Sequence, residues 1–161
     1  MGAALLRRLR HVLGRTRKRL VKLARAALLR PDVYIVSYPK SGRTWLRVLL
    51  GRAICLAYGV PEEMILDTPR VTTAAGLLRT QFSHDGSSLR SPRQGRRLPR
   101  SKRRYRRKKV ILLVREAKDL TVSTYFWSTR RLLLFEGPIS EYIRSETHGP
   151  GRIIEFYDLW Y

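Results

Sequence analysis

The sequence predicts an α/β fold, a parallel β-sheet flanked by helices. Three observations carry this. Residues 32–50 (DVYIVSYPKSGRTWLRVLL) pass from an apolar, β-branched run through a tight turn into an amphipathic helix. Residues 109–134 repeat that strand-to-helix passage. A short stretch at 80–83, ending at His84-Asp85-Gly86, offers a further strand between them. Strands alternating with helices build parallel sheets, because parallel neighbours need a long crossover, and in such sheets ligands sit at the carboxyl ends of the strands.

The elements follow in order. Residues 4–29 read as one helix, with Leu5, Leu9, Val12, Leu13, Leu20, Leu23, Ala27 and Leu28 on one face and Arg and Lys on the other. Pro31 stops it. Residues 32–37 form a strand whose continuous apolar run suits burial on both faces. A helix over 44–58 ends at Gly59-Val60-Pro61, and a short helix covers 62–66. Residues 72–78 give no decisive pattern. A strand at 80–83 runs into His84-Asp85-Gly86. Residues 86–109, rich in Ser, Pro, Gly and charge, read as a flexible solvated insert. A strand over 109–114 and helices over 119–134, 138–145 and 152–161 complete the chain.

One domain of ordinary hydrophobicity fits 161 residues, with no apolar run long enough to span a membrane. The single Cys55 excludes an internal disulfide and fits a reducing, cytoplasmic setting. Net charge is +22. Residues 1–30 hold ten Lys/Arg and residues 90–109 hold twelve, with no acid in either, so the remainder carries twelve of each sign and is neutral. The two basic blocks attract polyanions: anionic lipid, nucleic acid without sequence preference, or sulfated glycan. Segregated apolar and cationic faces make residues 1–30 a candidate for lying flat on an anionic membrane, against the plainer reading of a helix packed on its own domain.

The turn after the first strand is a phosphate-binding device. Amide N–H groups of a first helical turn lack intrahelical partners, and the helix dipole adds positive character there. Lys40 adds a full charge. The Walker pattern needs lysine after its last glycine, but Lys40 precedes Gly42 here, which disfavours a P-loop kinase.

The run Tyr38-Pro39-Lys40-Ser41-Gly42-Arg43-Thr44-Trp45 resembles the 5′-phosphosulfate loop of sulfotransferases that use 3′-phosphoadenylyl sulfate (PAPS). The block Val110 to Tyr125 (VILLVREAKDLTVSTY) resembles that family's 3′-phosphate block. The resemblance implies a P-loop-like three-layer architecture, with PAPS as sulfuryl donor, a hydroxyl or amine acceptor and no metal. It implies Lys40 as the catalytic lysine. Ser41, Gly42, Arg43 and Thr44 would cradle the 5′-phosphate, with Arg43 standing where many members have threonine. Trp45 would lie beside the adenine or pack its helix onto the sheet. Arg115 and Ser123 would hold the 3′-phosphate. The alternatives are a salt bridge from Arg115 to Asp119 or Glu116, and a Ser123 hydroxyl bonded to its own helix. His84 is the general base in family order or a surface turn histidine, and Asp85 orients its ring or caps a turn. The family's closing Arg-Lys-Gly segment has no counterpart after Ser123, so the domain reads as incomplete at its C-terminus, with turnover impaired accordingly. The competing function is a non-catalytic polyanion or membrane binder that uses the fold to present its cationic blocks.

Overall fold

The computed structural model describes residues 30–89 and 98–161. The helix expected over 4–29, with its membrane contact, lies outside them, as do residues 90–97 of the second basic block. Three strands form one all-parallel sheet in the order β2-β1-β3: β1 is Val33–Ser37, β2 is Thr80–Ser83 and β3 is Lys109–Leu113. Val33 stands opposite Thr80 on one side and Lys109 on the other. Every residue of β1 is buried, as a doubly covered central strand requires. β3 keeps Val110 and Ile111 exposed, since β1 is its only neighbour in the sheet among the described residues.

Helices flank the sheet. Helix α1, Arg43–Tyr58, starts one residue earlier than its pattern suggested and ends at left-handed Gly59. The expected helix at 62–66 is a single 3₁₀ turn, Glu62–Met64. Helix α2, Thr68–Ala74, occupies ground where the sequence was indecisive, because its Val and Thr residues favour strands. Its start signal is real: the Asp67 carboxylate accepts from the Arg70 amide at 3.2 Å, and a proline sits in the first turn. α1 and α2 meet through Ile54, Cys55, Val60 and Val71, so Cys55 is a packing residue. Gly51 lets the chain pass this close, as a Cβ there would lie 2.2 Å from the Ile65 carbonyl oxygen.

Helices α3 (Ala117–Arg130), α4 (Ile139–Arg144) and α5 (Pro150–Asp158) follow β3. Alternate residues Tyr34, Val36 and Tyr38 point into one core with Leu120 of α3 and Ile153 and Phe156 of α5. Leu98 and Tyr105 belong to the same core. The solvated-loop reading of 86–109 therefore fails at its described ends. Ser87, Leu89, Leu98 and Tyr105 are buried, and a 3₁₀ turn spans Arg103–Tyr105. Charge dominates the composition there, yet Leu98 and Tyr105 join the core and Lys102 and Tyr105 bind Asp85.

Candidate functional site

β1 and β3 are neighbours, and their helices join different packing clusters. Adjacent strands whose following helices diverge leave a crevice at their carboxyl ends. Here that crevice is a cleft of about 760 Å³. Lys40, Gly42, Arg43, Thr44, Trp45, His84, Arg115 and Ser123 all line it. The two strand-to-helix turns also touch directly, since an Arg115 terminal N–H donates to the Lys40 carbonyl at 3.2 Å.

The first turn is built from left-handed backbone. Gly42, at φ 90, precedes α1 as its cap and offers no side-chain acceptor. The Leu46 amide bonds the Gly42 carbonyl, so the amides of Arg43, Thr44 and Trp45 precede the first intrahelical bond. Lys40 is also left-handed, at φ 71. Its ammonium sits 4.4 Å from the Trp127 ring centroid, on the cleft wall. Ser41 departs from the expectation. It is buried, its Oγ donates to the Tyr38 carbonyl at 2.9 Å, and its amide points to the same oxygen at 3.4 Å. It holds the turn closed and does not line the cleft.

Trp45 is 76% exposed, which removes the reading that it packs α1 onto the sheet. Arg43 is half-buried over the Phe82 ring, with Arg47 on the same ring at 5.1 Å. Burial and the Arg47 charge both lower the Arg43 pKa. Arg115 does pair with Asp119, Nε to Oδ2 at 3.5 Å, while its other arm reaches Lys40. Its backbone is clamped by Tyr157, whose hydroxyl accepts from the Arg115 amide at 3.1 Å and donates to the Arg115 carbonyl at 2.9 Å. On α3 the hydroxyls of Thr121 and Thr124 bond backward along the helix. The Ser123 hydroxyl makes no such bond among the described residues and faces the cleft.

His84 stands just past β2. Its Nδ1 lies 2.9 Å from the Ser37 carbonyl oxygen. A carbonyl only accepts, so Nδ1 carries the proton and the neutral ring keeps its lone pair on Nε2. Burial lowers the His84 pKa, and Arg43 and Arg47 push it the same way, against the opposing effect of the Ser37 bond. The ring is therefore neutral at pH 7 and can accept a proton. Asp85 does not orient it. The Asp85 carboxylate instead receives the Lys102 ammonium and the Tyr105 hydroxyl, the latter at 3.0 Å. Tyr105 also meets the Ser83 hydroxyl at 2.9 Å, so the residues on both sides of His84 are tied to the basic segment.

Sequence reasoning missed several lining residues. Trp127 and Arg131 follow Ser123 by one and two helical turns, and that spacing could have found them. Ser88 and Leu89 fall in a segment read as loop and carried no signal. Among the described residues that line the cleft, four are cationic (Lys40, Arg43, Arg115 and Arg131) and none is a carboxylate. The cleft is chemically suited to a polyvalent anion. No cluster of His, Cys, Asp and Glu suited to a metal occurs among the described residues, and no helix there is long and apolar enough to cross a membrane. Comparison with protein-family models, curated proteins and solved structures finds no match to this chain.

Proposed function

We propose that the protein is a sulfotransferase that moves a sulfuryl group from PAPS to a hydroxyl or amine acceptor, on a P-loop-like three-layer fold. The observation that carries this is the shared cleft. Lys40 and Arg115, in the turns that follow different strands, open onto one cavity large enough for a nucleotide.

The residues divide the work as follows. The amides of Arg43 to Trp45, with the Thr44 hydroxyl, receive the 5′-phosphate at the positive end of α1. Arg115 and Ser123 receive the 3′-phosphate, the guanidinium through paired N–H donors. Trp45 offers an open ring face to the adenine. His84 Nε2 takes the proton from the acceptor hydroxyl as its oxygen bonds to sulfur. The bond between sulfur and the bridging oxygen breaks, and its electron pair stays on that oxygen, which leaves with the nucleotide as adenosine 3′,5′-bisphosphate. Lys40 neutralises the charge that grows on the leaving oxygen, a contribution that is often the largest catalytic one.

The test is transfer of radiolabelled sulfate from PAPS to a lysate extract by wild-type protein and by Lys40→Ala. A labelled product that depends on Lys40 supports the reading. Equal labelling by the two proteins removes it.

A further inference from the structure

α3 carries into the cleft a cation to which donor binding gives no role. Ser123, Trp127 and Arg131 recur at four-residue steps and all line the cleft, so one face of the helix looks into it. Arg131 caps α3, its amide donating to the Trp127 carbonyl at 3.2 Å. Arg130, one position earlier, turns elsewhere. Its guanidinium lies 4.5 Å from the Phe126 ring, and neither residue lines the cleft. Helical spacing thus selects the second of two adjacent arginines for the cavity.

The other three cleft cations have partners. Arg115 pairs with Asp119 and bonds the Lys40 carbonyl. Arg43 lies over the Phe82 ring. The Lys40 ammonium lies 4.4 Å from the Trp127 ring centroid. Arg131 is exposed and pairs with no carboxylate among the described residues. Its guanidinium lies 5.0 Å from that same Trp127 ring. Two cations against one indole repel each other, and no carboxylate among the described residues lines the cleft to offset them. An anionic group beside them relieves that repulsion.

The contacts also give Arg131 a side. They run in order from Arg115 to the Lys40 backbone, along the Lys40 side chain to Trp127, and on to Arg131. In the sulfuryl-transfer reading, on which this inference rests, the nucleotide extends from Arg115 to Lys40, where its oxygen leaves. The attacking oxygen approaches sulfur from the side opposite the leaving oxygen, so the acceptor enters past Lys40. Arg131 stands there, at the end of the series away from the 3′-phosphate. Its backbone is two helical turns from Ser123, roughly 12 Å along the axis at about 1.5 Å per residue.

We propose that Arg131 selects an acceptor that carries its own negative charge, a carboxylate, sulfate or phosphate close to the hydroxyl or amine that takes the sulfuryl group. The guanidinium fork holds such a group through paired N–H bonds and so orients the acceptor. Closeness follows from the shared ring, since the cation at the reacting bond and the cation that reads the acceptor both lie against Trp127.

The test splits a lysate extract on anion-exchange resin into a retained, anionic pool and an unretained pool of neutral and cationic compounds. Each pool is incubated with radiolabelled PAPS and wild type, Arg131→Gln or Arg131→Glu, with thermal unfolding as the check on folding. Wild type should label the anionic pool, and Arg131→Gln should lower that labelling by roughly tenfold or more, as loss of charge-assisted hydrogen bonds requires. Labelling of the unretained pool should stay within about threefold, and Arg131→Glu should move the preference to that pool. Calorimetry with adenosine 3′,5′-bisphosphate should give wild type and Arg131→Gln affinities within about twofold, because the nucleotide lies on the other side of Lys40. Wild-type labelling chiefly in the unretained pool would overturn the proposal. So would equal labelling of the anionic pool by wild type and Arg131→Gln. A nucleotide affinity that falls together with the labelling would assign Arg131 to the donor instead. Label in neither pool from wild type would refute sulfuryl transfer itself, and this inference with it.

Discussion

Arg115→Met gives the sharpest test of the two-turn site, because its effect should depend on one phosphate of the ligand. In the free protein the Arg115 side chain makes an ion pair with Asp119 whose members are 42% and 59% exposed, and one bond to the Lys40 carbonyl. An exposed pair contributes about 0–1 kcal/mol. The Tyr157 clamp grips the backbone of residue 115 and survives the substitution. Folding stability should therefore fall by no more than about 1 kcal/mol. Binding should change more. Two charge-assisted hydrogen bonds to a phosphate are worth about 1.5–3 kcal/mol each, and giving up the Asp119 and Lys40 contacts offsets part of that. A net loss of about 2–3 kcal/mol corresponds to roughly 30- to 150-fold weaker binding. Isothermal titration calorimetry with adenosine 3′,5′-bisphosphate should show this loss, whereas adenosine 5′-phosphate should weaken by no more than about tenfold, the share that passes through the lost Lys40 carbonyl bond. Equal losses for both nucleotides, or none for either, would refute the assignment of Arg115 to the 3′-phosphate.

Other expected outcomes follow from the same geometry. Sulfuryl transfer should show an acidic limb in kcat/KM with its midpoint below the ordinary histidine value of about 6.5, since burial and Arg43 and Arg47 depress His84; His84→Gln should lower the rate and abolish that limb. The native state binds fewer protons at His84 than the unfolded chain does, so this ring's contribution to stability is full above about pH 6.5 and is lost as pH falls through its lower native value. A urea-midpoint series should therefore show a shallower acid slope in His84→Gln. Tyr105→Phe removes the bonds to Ser83 and Asp85 and should destabilise by about 1–3 kcal/mol, read as a lower thermal midpoint. Gly51→Ala forces a Cβ against the Ile65 carbonyl, whereas Gly76→Ala meets open space at φ 69; the first should abolish or strongly impair folding and the second should cost only about 1–2 kcal/mol, both by thermal unfolding.

The sheet was legible because its signals are local. The unbroken run at 33–37 belongs to a strand buried on both faces, and both strand-to-helix turns carry their glycine or charge in plain view. α2 was not legible, because Thr and Val outweigh the single cap at Asp67 unless the first turn is read together with Pro69. The burial of Tyr105 was hidden by its neighbours. A composition window averages over a residue flanked by arginines, whereas the fold depends only on that one ring reaching Tyr34 and Trp160. The site shows the same division. Residue types at the two turns pointed to an anion, but the tautomer of His84 rests on a bond to Ser37, forty-seven positions away, which no local pattern contains.

Lys40 joins these two levels. A left-handed non-glycine residue costs about 1–2 kcal/mol relative to a right-handed one, so the turn is held by contacts made elsewhere. Two are visible. The Ser41 hydroxyl and amide both converge on the Tyr38 carbonyl, fixing the backbone on one side of Lys40. The Lys40 carbonyl accepts from Arg115, fixing it from the neighbouring strand. The cation that faces the cleft is thus positioned partly by the other turn's arginine, so the two ends of the cleft are mechanically linked. A phosphate drawing Arg115 away from Lys40 would loosen one of the two restraints on that turn. Binding at one end should then be felt at Lys40 without any change in the sheet between them.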